Sequence, residues 1–295
     1  MDSKKLESYI EAGKIAKEIR EESKKLIKEG ARIYDIAETI ENEIKERNAE
    51  VAFPVNISLN EFAAHCTPKL NDETVIGKDV VKVDIGVAVN GCIADTAYTI
   101  DLTGKYERML KANEEALNNA IKIIKDGVKI FEIGKIIEET IKSNGYNVIE
   151  NLTGHELDEY DLHAGISIPN IKIMDDNKKL KEDMVIAIEP FATNGIGRVV
   201  ETNRIEIFSF IKEKPVRRID ERNFIKEISK RKGLPLAKRW FKNIPEMQLN
   251  YILANLSNLG IIKTYGAFRE ESRGVVSQFE HTVIVQKDSC IVTTR

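Results

Sequence analysis

The sequence predicts a mixed α/β (α+β) fold in which two similar halves pack helices on sheet, with a helical segment inserted late in the chain. Three observations predict it: a repeat at a constant offset of 97 positions, an Asn-Gly hairpin between apolar runs, and a basic stretch that breaks the strand pattern. The chain has 295 residues, long enough for one large core or for one domain with an insertion. Charged residues make up 32% and hydrophobic residues 42%, a globular composition. No apolar run approaches the ~18 residues a membrane span needs. The charged opening, MDSKKLESYIEAGK, lacks the apolar core of a signal peptide. Cys66, Cys92 and Cys290 make neither a disulfide framework nor a CxxC metal pair. The expectation is a cytoplasmic protein with no membrane partner. A net charge of -3 does not advertise nucleic-acid binding by the chain as a whole.

The repeat supplies the first elements. KEGARIYDIAETIENEIKERNA, from Lys28, matches KDGVKIFEIGKIIEETIKSNGY, from Lys125. Ile36, Ile40 and Ile44 match Ile133, Ile137 and Ile141, a helical stripe in each copy. Gly30 and Gly127 each follow a longer helical segment and read as helix stops. Each half thus predicts a long helix, a Gly stop, a second helix and then strands. His65 and His163 recur at nearly the same place after the second helix, at an offset of 98. VVKVDIG brings Asp84 and VIAIEPF brings Glu189, each after an apolar strand-like run. Two halves that each deliver a His and an acid predict one site at a pseudo-twofold axis.

The hairpin follows from VVKVDIGVAVNGCIADTAYTI, residues 80 to 100. Asn90-Gly91 marks a two-residue turn. Residue 89 then faces 92, and Gly86 faces Asp95. Asp84 shares the parity of Gly86, so both aspartates point to one face as diagonal neighbours about 7–8 Å apart. Carboxylates reaching toward each other from there could hold two cations roughly 3.5–4 Å apart. Gly86 is expected to leave room for the metals.

Three of the four histidines, His65, His155 and His163, lie in segments beside these acids. A lone histidine is usually a hydrogen-bonded structural group, and the His155/His163 pair does not fit the helical HExxH zinc pattern. Their grouping favours function without fixing roles. Glu189, before Pro190, and Glu280, inside SQFEHTVIV, are acids in buried-looking strands, where each needs a cation or a hydrogen-bond partner. Strand alternation turns His281 to the opposite face, and it reads as structural.

From Ile211 to Lys242 there are twelve Lys/Arg against four Asp/Glu, a net +8. PEMQLNYILANLSNLG, from Pro245, reads as an amphipathic helix with a Gly stop. Residues 206–267 are therefore expected to form an inserted helical, basic subdomain. A final strand pair, VVSQFEHTVIVQKDSCIVTTR, returns to the sheet pattern.

FPVNISLNEFAAHCTP resembles the first active-site segment of type 2 methionine aminopeptidases. KVDIGVAVNGCIADTAYTI resembles the family's two-aspartate hairpin, and NLTGHELDEYDLHAGISIPN, AIEPFAT and QFEHTVIV match the remaining motifs in order. The resemblance covers nearly the whole chain and is to the short, archaeal-like form. It implies the pita-bread fold of the M24 metallopeptidases: helices on a curved, mostly antiparallel sheet. It implies a catalytic domain of residues 1–205 and 268–295 and a winged-helix-like insertion at 206–267. It implies two divalent metal ions (Co, Mn, Fe or Zn) on Asp84, Asp95, His155, Glu189 and Glu280, with Asp95 and Glu280 bridging. His65, His163 and Glu189 would be catalytic. Phe53, His65, His163 and Tyr265 would bind the substrate. The implied reaction is hydrolytic removal of N-terminal methionine from nascent chains and peptides with a small second residue, by a monomer. The basic insertion could contact the ribosome or present a solvated face. Two rival readings are a proline dipeptidase-like hydrolase on the same fold and a binding protein that has lost its metals. The full set of five ligand residues speaks against the second.

Overall fold

The computed structural model describes residues 1–173 and 177–295. In the first half, α1 (Ser3–Ser23) and α2 (Ile33–Glu46) precede β1 (Glu50–Leu59), β2 (Phe62–Ala64) and the hairpin of β3 (Val80–Val89) and β4 (Cys92–Asp101). In the second half, α3 (Glu107–Ile123) and α4 (Ile130–Ser143) precede β5 (Asn147–Val148), β6 (Thr153–Asp158), β7 (Asp161–Pro169), β8 (Val185–Ile188) and β9 (Phe191–Thr193). The helices α2 and α4 are both 14 residues long and occupy equivalent positions in the repeat. Ile36, Ile40 and Ile44 are buried in one apolar cluster, and Ile133, Ile137 and Ile141 in a second. The stripe turns one face of each helix onto its own half of the sheet.

The paired glycines are not helix caps, contrary to the sequence reading. The first helix runs on through a 3-10 turn to Leu26, and the third ends at Ile123, so both glycines stand in the turn that follows. Gly30 and Gly127 both have φ +81°, a region where a Cβ is costly. Their N–H groups donate to Ile76 O at 2.7 Å and Leu180 O at 2.9 Å. Each glycine thus ties its interhelical turn to a distant segment of its own half.

Among the described residues, β10 (Val199–Phe210), α5 (Ile219–Ile228), β11 (Leu236–Ala237), α6 (Glu246–Asn258), β12 (Ile262–Glu270), β13 (Val276–Gln278), β14 (His281–Val285) and β15 (Cys290–Val292) complete the chain. The strands pair antiparallel in the orders β1-β3-β4, β11-β10-β12-β2, β13-β9-β5 and β15-β14-β8-β6-β7, and the assembly curls into a half-barrel. The two halves meet where β4 runs beside β14. There Asp95 N donates to Thr282 Oγ1 at 2.7 Å, and Glu280 N donates to Ala97 O at 3.1 Å. Thr96 Oγ1 donates to Glu280 O at 2.9 Å.

The long strands β10 and β12 carry the chain out to α5 and α6 and back. Phe208, Phe224, Ile228, Leu249 and Leu256 share an apolar cluster there. Residues 206 and 267 fall inside these two strands, which serve both the central site and the outlying helices. Part of the basic character is internal. Arg239 is fully buried and pairs with Glu41, with Glu38 Oε1 3.3 Å away. Trp240 Nε1 donates to Glu41 Oε2 at 2.7 Å. Arg231 donates to the carbonyls of Val51 and Ala52 on β1. Those two arginines fasten this segment to the first half and are not solvated-face charges. No described helix is long and apolar enough to cross a membrane.

Candidate metal centre

The hairpin has the register its turn demands: Val89 pairs with Cys92 and Gly86 with Asp95. Asn90 and Gly91 both have positive φ, at 52° and 84°, as a tight hairpin turn requires. Asp84 pairs with Ala97 and is therefore diagonal to Asp95 on the same face. Gly86 serves a different purpose from the one expected. A Cβ there would overlap the ring of Phe53, its partner on β1, so the glycine makes room for an aromatic wall of the cavity.

A partly open cavity lies over this hairpin. Phe53, His65, Asp84, Asp95, His155, His163, Glu189, Tyr265 and Glu280 all line it, so every residue selected from the sequence reaches one place. Asp95 comes from β4, His155 from β6 and His163 from β7. Glu189 follows the end of β8, and Glu280 sits in the break between β13 and β14. Ligand atoms of Asp95, His155 and Glu280 lie within 4.8 Å of one another. His155 Nε2 is 3.8 Å from Asp95 Oδ2 and 3.5 Å from Glu189 Oε1.

These groups need a positive partner. Asp84 Oδ1, Asp95 Oδ1, Glu280 Oε1 and His155 Nδ1 are buried with no hydrogen-bond partner among the described residues. Burial pushes the Asp84 carboxyl up to about 7. Burial, reinforced by the neighbouring carboxylates, holds Asp95, Glu189 and Glu280 well above the usual carboxylate range. Burial also drives His155 down to about 3, and the neighbouring His163 adds to the effect. Crowded carboxylates beside the acceptor nitrogen of a neutral imidazole form an acceptor-rich cluster, which divalent cations fit and apolar burial does not.

The other two cavity histidines sit differently. His65 follows β2 with a left-handed backbone, φ 58°, and meets Tyr265 edge-on at 5.5 Å and Phe268 at 4.9 Å. Burial lowers its pKa to about 4. His163 stacks obliquely on His155, ring centres 4.5 Å apart, and burial followed by the charge of Lys263 lowers its pKa. His281 points away, as alternation predicts: its Nδ1 lies 2.8 Å from Thr294 Oγ1 and 3.2 Å from Arg20 Nη1.

Sequence reasoning missed several neighbours. Gln278 Nε2 is 3.5 Å from Glu189 Oε2, and the Gln278 side chain partly offsets the upward push of burial on the Asp84 carboxyl. Its parity with Glu280 in the final strand was the available signal. Thr282 holds the Asp95 backbone from both sides. Asn56, Leu162, Ile207 and Pro235 also line the cavity, the last from the inserted segment.

Residues 7–287 match the model of metallopeptidase family M24. The chain belongs to metallopeptidase family M24. This M24 chain is 50% identical over 291 residues to a methionine aminopeptidase of Thermococcus onnurineus, covering 98% of this chain and 99% of the relative. It is 44% identical over 298 residues to a methionine aminopeptidase of Methanocaldococcus jannaschii, covering both chains completely. Among solved structures, the methionine aminopeptidase of Rickettsia prowazekii aligns with TM-score 0.74 at 20% identity, over 100% of this chain and 98% of that one. A thermophilic Arx1 aligns with TM-score 0.84 at 17% identity, over 99% and 91%. Likeness at that level of identity shows the pita-bread fold alone.

Proposed function

We propose that this chain is a methionyl aminopeptidase that removes N-terminal methionine, in the cytoplasm, from nascent chains and peptides with a small second residue. The observation that carries this reading is the convergence of Asp84, Asp95, His155, Glu189 and Glu280 with Phe53, His65, His163 and Tyr265 around one cavity. The full-length similarity to methionine aminopeptidases supports the same reaction.

In this reading Asp84, Asp95, His155, Glu189 and Glu280 would hold the two divalent cations. Their oxygen-rich set suits Co, Mn, Fe or Zn. The cations supply Lewis acidity that polarises a carbonyl and makes hydroxide available near neutral pH. Glu189 takes a proton from the attacking water and passes it to the leaving amine. His163, outside the tight Asp95–His155–Glu280 group, donates to the carbonyl oxygen as charge develops there. His65 contacts the scissile amide or the second residue. Phe53 and Tyr265 enclose the methionine side chain. Residues 206–267 form a winged-helix-like subdomain on the monomer, and its exposed basic residues are the surface for ribosome contact.

The test is release of methionine from Met-Ala-Ser and Met-Leu-Ser, with metal removed by chelation and then restored. Cleavage of the Met-Ala peptide that disappears and returns with metal is expected, with little cleavage of the Met-Leu peptide. Asp95→Asn should lose bound metal and turnover together while keeping the fold. Metal-independent cleavage, or an Asp95→Asn variant with full metal and normal turnover, sinks the reading.

A further inference from the structure

We propose that Asn56 is a substrate-binding residue whose side-chain oxygen accepts a hydrogen bond from the free α-amino group of the substrate. The inference rests on the aminopeptidase reading above and concerns the same cavity.

Asn56 is 4% exposed, lines the cavity, and has a buried Oδ1 with no hydrogen-bond partner among the described residues. A buried amide oxygen without a donor is uncommon and calls for an explanation. The backbone is arranged to present it. Phe53 and Asn56 are three residues apart, so a regular strand would turn them to opposite faces. Both line the cavity because β1 carries a bulge: Phe53 pairs with Gly86 but Asn56 pairs with Asp84, three positions against two. Bulges next to active sites commonly re-aim a side chain in this way. Pro54, which has no N–H to donate, sits within the bulge.

The bulge is itself secured. Val55 N donates to Glu41 Oε1 at 3.1 Å, and Val55 O accepts from Thr67 Oγ1 at 2.8 Å. Glu41 is held in turn by Arg239 and Trp240 of the inserted segment. A conformation fixed from both sides aims Asn56 at the face that Asp84 occupies.

The chemistry of the cavity identifies the donor. Its polar walls are carboxylates and neutral imidazoles, and a cation cluster satisfies those. A bound cation would accept the lone pair of a neutral substrate amine, and the N–H bonds would remain free. An amide oxygen can accept one of them without adding charge. A blocked N-terminus presents fewer such hydrogens, so this contact helps restrict the enzyme to free N-termini.

The test uses the metal-loaded enzyme. Inhibition by L-methionine is compared with inhibition by its desamino analogue, 4-(methylthio)butanoate, in wild type and Asn56→Ala. A lost neutral hydrogen bond should weaken methionine about 5–10-fold and leave the analogue unchanged within about twofold. KM for Met-Ala-Ser should rise similarly, with metal content unaltered. The thermal midpoint of chelated Asn56→Ala should hold or rise, because the substitution removes an unsatisfied acceptor. If Asn56→Ala does not fold, Asn56→Ser is used in the same comparison, and its hydroxyl should retain part of the discrimination. Equal losses for methionine and the analogue, loss of bound metal, or unchanged methionine affinity would each overturn the proposal. Wild-type enzyme that fails to cleave Met-Ala-Ser would instead overturn the aminopeptidase reading.

Discussion

Lys82 carries an ammonium group into the protein interior, where its Nζ donates to Asn60 O at 2.8 Å and Val276 O at 2.9 Å. Burial pushes its pKa down to about 7, against about 10.4 in an unfolded chain. Between those values the unfolded state binds the proton and the folded state does not, so stability increases with pH across that window. Below about 7 the folded protein must carry the buried charge, and this contribution is lost. Chemical denaturation of the wild type should show a gain of at most about 1.4 kcal/mol per pH unit between pH ~7 and ~10. Lys82→Met should flatten that slope. An identical slope in the variant would assign it to other groups. Sequence reasoning gave the lysine in VVKVDIG no role, although a period of two places Lys82 on the same face as Asp84. The aspartate pair was legible in the same run, because a two-residue turn fixes register and a period of two fixes the face. Glu189 and Glu280 lie 91 positions apart, and only the family resemblance joined them in advance.

At the scale of elements, the hairpin and the helical repeat could be read because each depends on local periodicity. The bulge in β1 could not, because it depends on one extra residue whose only trace in the sequence is Pro54. The same strand shows how tightly two elements are matched. Gly86 on β3 has no side chain because the Phe53 ring on β1 fills that space. Gly86→Ala should expel the ring and open the wall of the proposed methionine pocket. KM for Met-Ala-Ser is then expected to rise about tenfold or more, as when an apolar pocket contact is lost. The five proposed ligand side chains are untouched, so metal content should stay at the wild-type level. Steady-state kinetics beside metal analysis checks this. Normal KM with reduced metal would mean that Gly86 makes room for the cations after all.

For the whole molecule, the inserted segment is part of the machinery of the first half. Arg239 and Trp240 reach across to Glu41, 198 and 199 positions away, and Pro235 closes a side of the cavity. No local pattern reveals such a pairing, and a run of twelve basic residues reads by default as a wet surface. The structure divides that run by burial. Arg217 and Arg218 are exposed, whereas Arg239 is fully buried. Arg239→Ala leaves Glu41 buried without its cation and should cost about 3–5 kcal/mol. It should also raise KM, since Glu41 holds the bulge behind Phe53. Arg217→Glu with Arg218→Glu should cost far less stability and leave peptide cleavage intact. Equal effects of the two changes would show that Arg239 is no more than a surface charge.

The position of Glu280 after the excursion through β10, α5, α6 and β12 also has a meaning in time. A ribosome delivers Asp84, Asp95, His155 and Glu189 first, then the whole inserted segment, and only then the last acid of the proposed metal cluster. Until Glu280 has emerged and β14 has docked beside β4, the acid whose backbone bonds tie the last strands to β4 is missing. A chain abandoned midway through synthesis therefore lacks a complete cluster whatever else it has folded. Competence comes late, as a single event, and an unfinished copy has no partial hydrolase with which to trim other proteins.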